Sequence, residues 1–354
     1  MFYWNDEGSF VDATVSSRCC TDGNGMGSAF AAFTGSQSLD WFVPAILDPA
    51  NPDDGVAAHT GNRLFRYAGS REFEDITDEA GVRAGYWGWG LAALDHDNDG
   101  DVDIIQTNGV QWDEEDPWYN DPILFWDNID GGASLLDGTP MQETAAELGI
   151  QNRGSGKAIV TLDFDNDDVF VVNNAEGVRL FRNDLDNDND WLQVQVEGRA
   201  SNRQGHGTQI TVWPEVDSAP LYMETGENGG YLGHGEARRL HFGLGASPSS
   251  VVARVEVYFP VSETTAVRTD VQRNSVLFVE EETNVRVSVS VSESLSPATS
   301  FDSANSDGTS SQDYDDDEKR SLARLHKRST HLVCSSCRDP LAASMYVVLF
   351  FALK

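Results

Sequence analysis

The strongest constraint on this chain is that it repeats itself. FYWNDEGSFVDAT at residues 2–14 corresponds to LFRYAGSREFEDITDEAGV at 64–82. LFWDNIDGG at 124–132 leads to ETAAELGI at 143–150, and LFRND returns at 180–184. The anchors at 2, 64, 124 and 180 lie 62, 60 and 56 residues apart. A period of that length means stacked supersecondary units, each too small to bury its own apolar face. Within a unit, an aromatic run, a Gly/Asp turn, an F-x-D-x-T run and an EAGV loop precede a Gly/Ala-rich run and an acidic turn. LAALD and VDIIQTN are short apolar, β-branched runs bounded by turn residues, which predicts strands. TDEAGV has room for one helical turn. Four short strands per unit predict propeller-type blades over residues 1–185. About three units fit there, whereas a propeller closes with at least four. The expected array is therefore open or incomplete, either a truncated chain or one completed by partners or divergent strands.

Residues 190–283 have a different pattern. DWLQVQVEG, HGTQITVWP, LYMETG, RRLHFGLG, ARVEVYFP and NSVLFVEE alternate between apolar and polar residues and are separated by Gly/Ser/Pro turns. They predict an all-β domain of sandwich or barrel type. Residues 284–318, rich in Ser and Asp, read as a disordered linker. Residues 319–354 join a basic stretch, KRSLARLHKR, to a terminal apolar run too short to span a bilayer. MFYWNDEGSF lacks a basic n-region and a continuous apolar stretch, so no signal peptide is expected.

The formal charge is −34. Residues 284–354 hold nine acidic and eight basic residues, −1 in all, so residues 1–283 carry the remaining −33. A surface this negative repels nucleic acid and anionic membranes and excludes both as partners. Only four of the 24 basic residues are lysine. That composition suits a halophilic or marine protein kept soluble in high salt, and equally an acidic secreted one. Cys19, Cys20, Cys334 and Cys337 make no disulfide framework.

ALDHDNDGDVDIIQTNG, residues 93–109, carries an aspartate at every second position from Asp95 to Asp103. Gly100 permits a sharp turn, so Asp95, Asp97 and Asp99 converge on one point. Asp101 can ligate through its carbonyl, and Asp103 directly or through water. Five oxygen donors at this spacing fit a hard cation, and Ca²⁺ tolerates their flexible geometry better than Mg²⁺. Aligned on Phe33 and Leu94, the first unit has Thr34, Ser36 and Ser38 in place of carboxylates and keeps only Asp40, so its site is gone. The third unit retains Asp163, Asp165 and Asp167 on a shortened turn without glycine, a weaker candidate. Asp184, Asp186, Asp188 and Asp190 alternate along NDLDNDNDW and form either a further weak site or a polar linker.

These residues carry a family likeness. LALDHDNDGDVDII within its LFR…F-x-D-x-T…AGV frame resembles the FG-GAP (VCBS-like) repeat. NDWLQVQVEGRASNRQGHGTQITVW, GGYLGHGEARRLHFGLG and VARVEVYFP, in that order, resemble the ASPIC/UnbV domain. Together they resemble the cartilage acidic protein/UnbV family over roughly residues 1–283. The resemblance implies an extracellular or cell-envelope protein with a calcium-binding propeller ahead of the ASPIC/UnbV domain. It carries the calcium role to Asp95, Asp97, Asp99, Asp101 and Asp103. His206, GYLGHGE and YFPVSE depart from the family pattern. The family has no settled enzymatic activity, which implies a noncatalytic role in adhesion or in binding a protein or carbohydrate ligand.

The alternative is a carbohydrate-active enzyme, a polysaccharide lyase or hydrolase, on the same scaffold. Acidic residues are too plentiful for sequence to select a catalytic pair. His206, His234 and His241 match no zinc spacing, and no GxSxG, Walker or dinucleotide motif occurs. His241 alternates away from Leu240 and Phe242, toward solvent or a partner. Arg203, Trp213 and Tyr231, in and beside the Gly-rich loops SNRQGHG and GENGGYLGHGE, offer a planar donor and aromatic faces. They form the candidate ligand surface, with strand-end packing as the competing reading of Trp213.

Overall fold

The structure is a computed structural model that describes residues 2–19, 23–48, 59–111, 113–129, 133–162, 168–174, 177–226, 231 and 239–282. Residues 1–286 form one compact unit, which contains every described residue. Expectations for Asp163, Asp165, Asp167, His234, Cys20, Cys334, Cys337 and the tail from 283 lie outside the described residues.

The first strands are a hairpin, β1 (Tyr3–Asp6) and β2 (Ser9–Asp12). An antiparallel meander follows, made of β3 (Ala29–Ala31), β4 (Asp40–Val43), β5 (Arg63–Gly69) and β6 (Glu72–Asp75). A second comprises β7 (Gly88–Leu94), β8 (Asp103–Asn108), β9 (Leu124–Asp127) and β10 (Gln142–Glu143). β11 (Gly156–Leu162), β12 (Asp168–Asn173) and β13 (Gly177–Phe181) form a third, three-stranded sheet. The repeat anchors at 64, 124 and 180 thus fall in the third strand of successive sheets. The sequence period is cut halfway through each meander. The expected helical turn at TDEAGV is a hydrogen-bonded turn closed by Ala80 N–H on the Ile76 carbonyl at 2.9 Å.

β7 and β8 are buried on both faces, which is why they read as continuous apolar runs. Adjacent residues of β8 face opposite ways. Ile104 joins Phe33, Phe42, Leu64 and Trp126 in one core, and Ile105 joins Phe125, Ile159 and Val171 in another. At Gly90 a Cβ would lie 2.7 Å from the Lys157 carbonyl oxygen and 2.8 Å from the Ala158 Cα. Only glycine lets β7 and β11 approach so closely.

Seven strands follow: β14 (Asp190–Glu197), β15 (Gln209–Trp213), β16 (Leu221–Glu224), β17 (Arg239–Gly245), β18 (Val251–Phe259), β19 (Thr264–Gln272) and β20 (Ser275–Glu280). They form two sheets, β17-β14-β20 and β16-β15-β18-β19. Their alternate residues, among them Leu192, Val194, Ile210, Phe242, Val255 and Phe259, form one shared core. β14 and β20 run parallel; the other paired strands are antiparallel. β19 escapes the sequence reading because of its nine residues only Ala266 is buried. The chain is therefore all-β with several small sheets, and no described sheet closes on itself.

Candidate metal centre

The acidic turn joins β7 to β8. Asn98 (φ 62°) and Gly100 (φ 98°) adopt left-handed backbone conformations that fold the loop back on itself. Asp99 N–H then donates to Asp95 Oδ1 and Asp97 Oδ1, both at 3.2 Å, and Gly100 N–H donates to Asp95 Oδ2 at 2.9 Å. Asp101 N–H donates to Asp99 Oδ1 at 2.9 Å. One carboxylate oxygen each from Asp95, Asp97 and Asp99 comes within 4.8 Å of the others. Burial pushes the Asp95 carboxyl well above its ordinary pKa, and the Asp103 and Asp99 charges push it further. Burial and the Asp101 charge raise Asp99 to about 7. Three carboxylates held this close at neutral pH need protons or a cation, and an all-oxygen donor set fits a hard cation such as Ca²⁺.

Asp103 is turned elsewhere. Its Oδ2 accepts His96 N–H at 3.0 Å and lies 2.7 Å from His96 Nδ1, while its Oδ1 accepts Asn128 N–H at 2.9 Å. His96, Asp103 and Asp127 form a second cluster whose donor atoms also lie within 4.8 Å of one another. Burial alone would lower the His96 pKa, but its hydrogen bond to Asp103 and the charges of Asp103, Asp97 and Asp127 raise it. Within this second cluster His96 and Asp103 are already paired with each other. Asp101 is buried beside the loop.

The turn is also the seat of the second half of the molecule. Gly245 N–H donates to the Asn98 carbonyl at 2.8 Å, and His241 Nε2 lies 2.5 Å from Asn98 Oδ1. At Gly243 a Cβ would come within 2.0 Å of Asp95 Oδ2. The His241 ring, stacked on Trp191 at 5.9 Å, therefore faces the acidic turn. From the connecting segment, Asn183 Nδ2 donates to the His96 carbonyl at 2.6 Å. Asn187 and Asn189 donate to the Asp97 carbonyl at 2.6 and 2.9 Å. A cavity of about 150 Å³ remains at the seam, bordered by Asp95, Asp99, Leu221 and Phe242.

Sequence reasoning counted the aspartates of NDLDNDNDW and missed these asparagines. The available signal was parity, because alternate residues of an extended segment face opposite sides. Asn183, Asn187 and Asn189 meet the turn. On the other parity, Asp184 pairs with Arg182 at 2.6 Å in the open, and Asp190 meets Arg273 at 3.3 Å. Asp186 and Asp188 are exposed.

The three residues of the candidate ligand surface have separate partners. Arg203 is 3.4 Å from Glu197, Trp213 lies under Arg254 at 5.1 Å, and Tyr231 packs on Trp89 at 5.6 Å. Within the SNR loop, Ser201 is anchored by Glu281. That carboxylate accepts the N–H groups of Arg199, Ala200 and Ser201 and the Ser201 hydroxyl. Burial opposes ionisation there, yet hydrogen bonds from Ser262, Ser201 and Arg199 bring Glu281 down to about 2. This loop is held by a structural anion.

Residues 198–286 match the family described as ASPIC and UnbV. The match begins just after β14, the central strand of its sheet. No curated protein matches the chain.

Proposed function

We propose that this chain is a noncatalytic, calcium-binding protein of the cell exterior or envelope that holds a protein or carbohydrate ligand. In this reading the meanders are FG-GAP-type blades of an open propeller, and residues 190–283 are a sandwich-like ASPIC/UnbV domain. The observation that carries it is the convergence of Asp95, Asp97 and Asp99 directly beneath Gly243 of β17. A cation there neutralises carboxylates that otherwise repel, and the same turn supplies the carbonyls that Asn183, Asn187, Asn189 and Gly245 grip. Ion binding and docking of the two β regions are therefore coupled. The matched ASPIC and UnbV segment supports a binding role.

Calorimetric titration with CaCl₂ tests the reading. Extracellular modules bind Ca²⁺ at about 10⁻⁴–10⁻³ M, and calcium at about ten times Kd adds about 1.4 kcal/mol to stability. Both β regions should melt together and later in calcium than in chelator. A melting curve indifferent to calcium would remove the ion from the mechanism. Turnover of a polysaccharide panel, lost on changing one carboxylate outside the turn, would replace binding with catalysis.

A further inference from the structure

Lys157 stands apart in this chain. It is the only lysine before Lys319, in a protein with 58 acidic residues, and no ion pair holds it among the described residues. It projects half-buried from β11. Its Nζ donates to the Gly109 carbonyl at 2.8 Å and lies 3.4 Å from the centre of the Trp89 ring. Both contacts stabilise an ammonium, but neither neutralises it. Desolvation accordingly lowers the Lys157 pKa to about 7.

Aromatic rings from separate segments gather around this ammonium. Trp87 stacks on Trp89 at 5.5 Å and 8°, Trp118 meets Trp87 edge-on at 5.1 Å, and Tyr231 leans on Trp89 at 5.6 Å. None of the three tryptophans belongs to a hydrophobic core cluster, and Trp87, Trp118 and Tyr231 are half-buried. The Trp89 and Trp118 indole N–H groups bond the Gly109 and Leu47 carbonyls. What these two rings have left to offer is apolar surface. Trp87 immediately precedes β7 and Trp89 is its second residue, while the acidic turn follows its far end, so this cluster and the acidic turn are separate sites at the two ends of one strand.

We propose that Trp87, Trp118, Tyr231 and Lys157 form a binding site for a sugar ring carrying one carboxylate, a uronate unit. The C–H face of the ring lies against the aromatic surface, and the carboxylate takes the ammonium's remaining donor and supplies its missing counter-charge. A neutral sugar leaves the charge unanswered. A polyanion gains contacts at only one lysine while meeting the repulsion of a chain of net charge −34. The geometry selects a single acidic unit within an otherwise neutral glycan.

The test uses the full chain in calcium-containing buffer, with tryptophan fluorescence and calorimetry as readouts. The probes are a disaccharide of glucuronate linked to a neutral sugar, its counterpart with glucose in place of glucuronate, and benzoate. The expected result is binding of the glucuronate disaccharide at least about tenfold tighter than its neutral counterpart. Lys157→Met keeps an unbranched apolar side chain at this position and should lose that preference with an unchanged melting temperature. Lys157→Arg should retain most of it. Trp118→Ala should weaken both disaccharides. Equal binding of both, binding of benzoate alone, an unchanged preference in Lys157→Met, or no binding of any probe would each overturn the proposal. Lys157→Met should keep the full calcium-induced rise in melting temperature, so this site and the calcium reading fail or stand separately.

Discussion

The turns that open β4 and β8 begin from one plan and end in different chemistry. In the first, Asp40 accepts Thr34 N–H at 2.9 Å, the Thr34 hydroxyl at 2.8 Å and Tyr67 N–H at 3.0 Å. In the second, Asp103 accepts His96 N–H, contacts His96 Nδ1, and accepts Asn128 N–H. The pattern of hydrogen bonds equates Thr34 with His96, and hence Phe33 with Asp95, one residue away from the alignment on Phe33 and Leu94. Phe33 is fully buried in the core; burying such a ring stabilises by about 1.5–3 kcal/mol. Its counterpart Asp95 is almost equally buried, and carries a carboxyl group where the first turn has a ring. The hydroxyls of Thr34, Ser36 and Ser38 bond one another at 2.9–3.3 Å, so the first turn closes without a cation. The strand-opening aspartate is thus a clamp common to both turns, and what sets the second turn apart is the carboxylate cluster of Asp95, Asp97 and Asp99.

That comparison breaks most visibly at the clamps. Asp103→Ala and Asp40→Ala each strand buried donors and should cost about 2–4 kcal/mol, equally in calcium and in chelator. A loss for Asp103→Ala confined to calcium would return this residue to the ligand set. Next in size, Asp95→Asn should abolish the calcium-dependent rise in melting temperature, and Asp97→Asn should weaken it. Unchanged calcium binding in both would reject the turn as the site.

The pH dependence sharpens the same contrast. Asp99 at about 7 and Asp103 at about 6 are raised above the ordinary 3.8, so their stabilising contribution is complete below that value and is lost as pH rises through 6 and 7. Calcium needs Asp99 deprotonated, so its affinity should climb as pH rises through about 7 and level off above it. Titrations across pH on wild type and Asp99→Asn would check this; the variant's dependence should be shallower. Smaller still, Asn187→Ala with Asn189→Ala should lower calcium affinity about threefold to tenfold by loosening the Asp97 carbonyl. Ser36→Ala should stay within about 0.5 kcal/mol and leave calcium binding untouched.

Much of the fold was legible because strand signals are local. LAALD, VDIIQTN and the runs from DWLQVQVEG to NSVLFVEE all fall in strands. β19 was not legible, since a strand with eight of nine residues at least partly exposed lacks an apolar period. At the acidic turn, the alternating aspartates and Gly100 announced convergence. Asp103 looked like its neighbours until Asn128, just past the end of β9, took one of its oxygens. Spacing cannot distinguish a carboxylate facing an ion from one facing a backbone N–H 25 residues away.

The sequence by itself determined the β class, the repeat, the negative field and the three carboxylates of the turn, because each depends on residues near one another in the chain. The tertiary structure alone decided that the turn is a seam. Asn183, Asn187, Asn189, His241 and Gly243 reach it from about 85 to 150 positions away, and such meetings are set by how sheets pack. It decided too that Lys157, in a chain of carboxylates, would lie over an indole face, with no ion pair among the described residues. Sheet packing chose that partner, because Gly90 brings the backbones of β7 and β11 together and places Lys157 against Trp89.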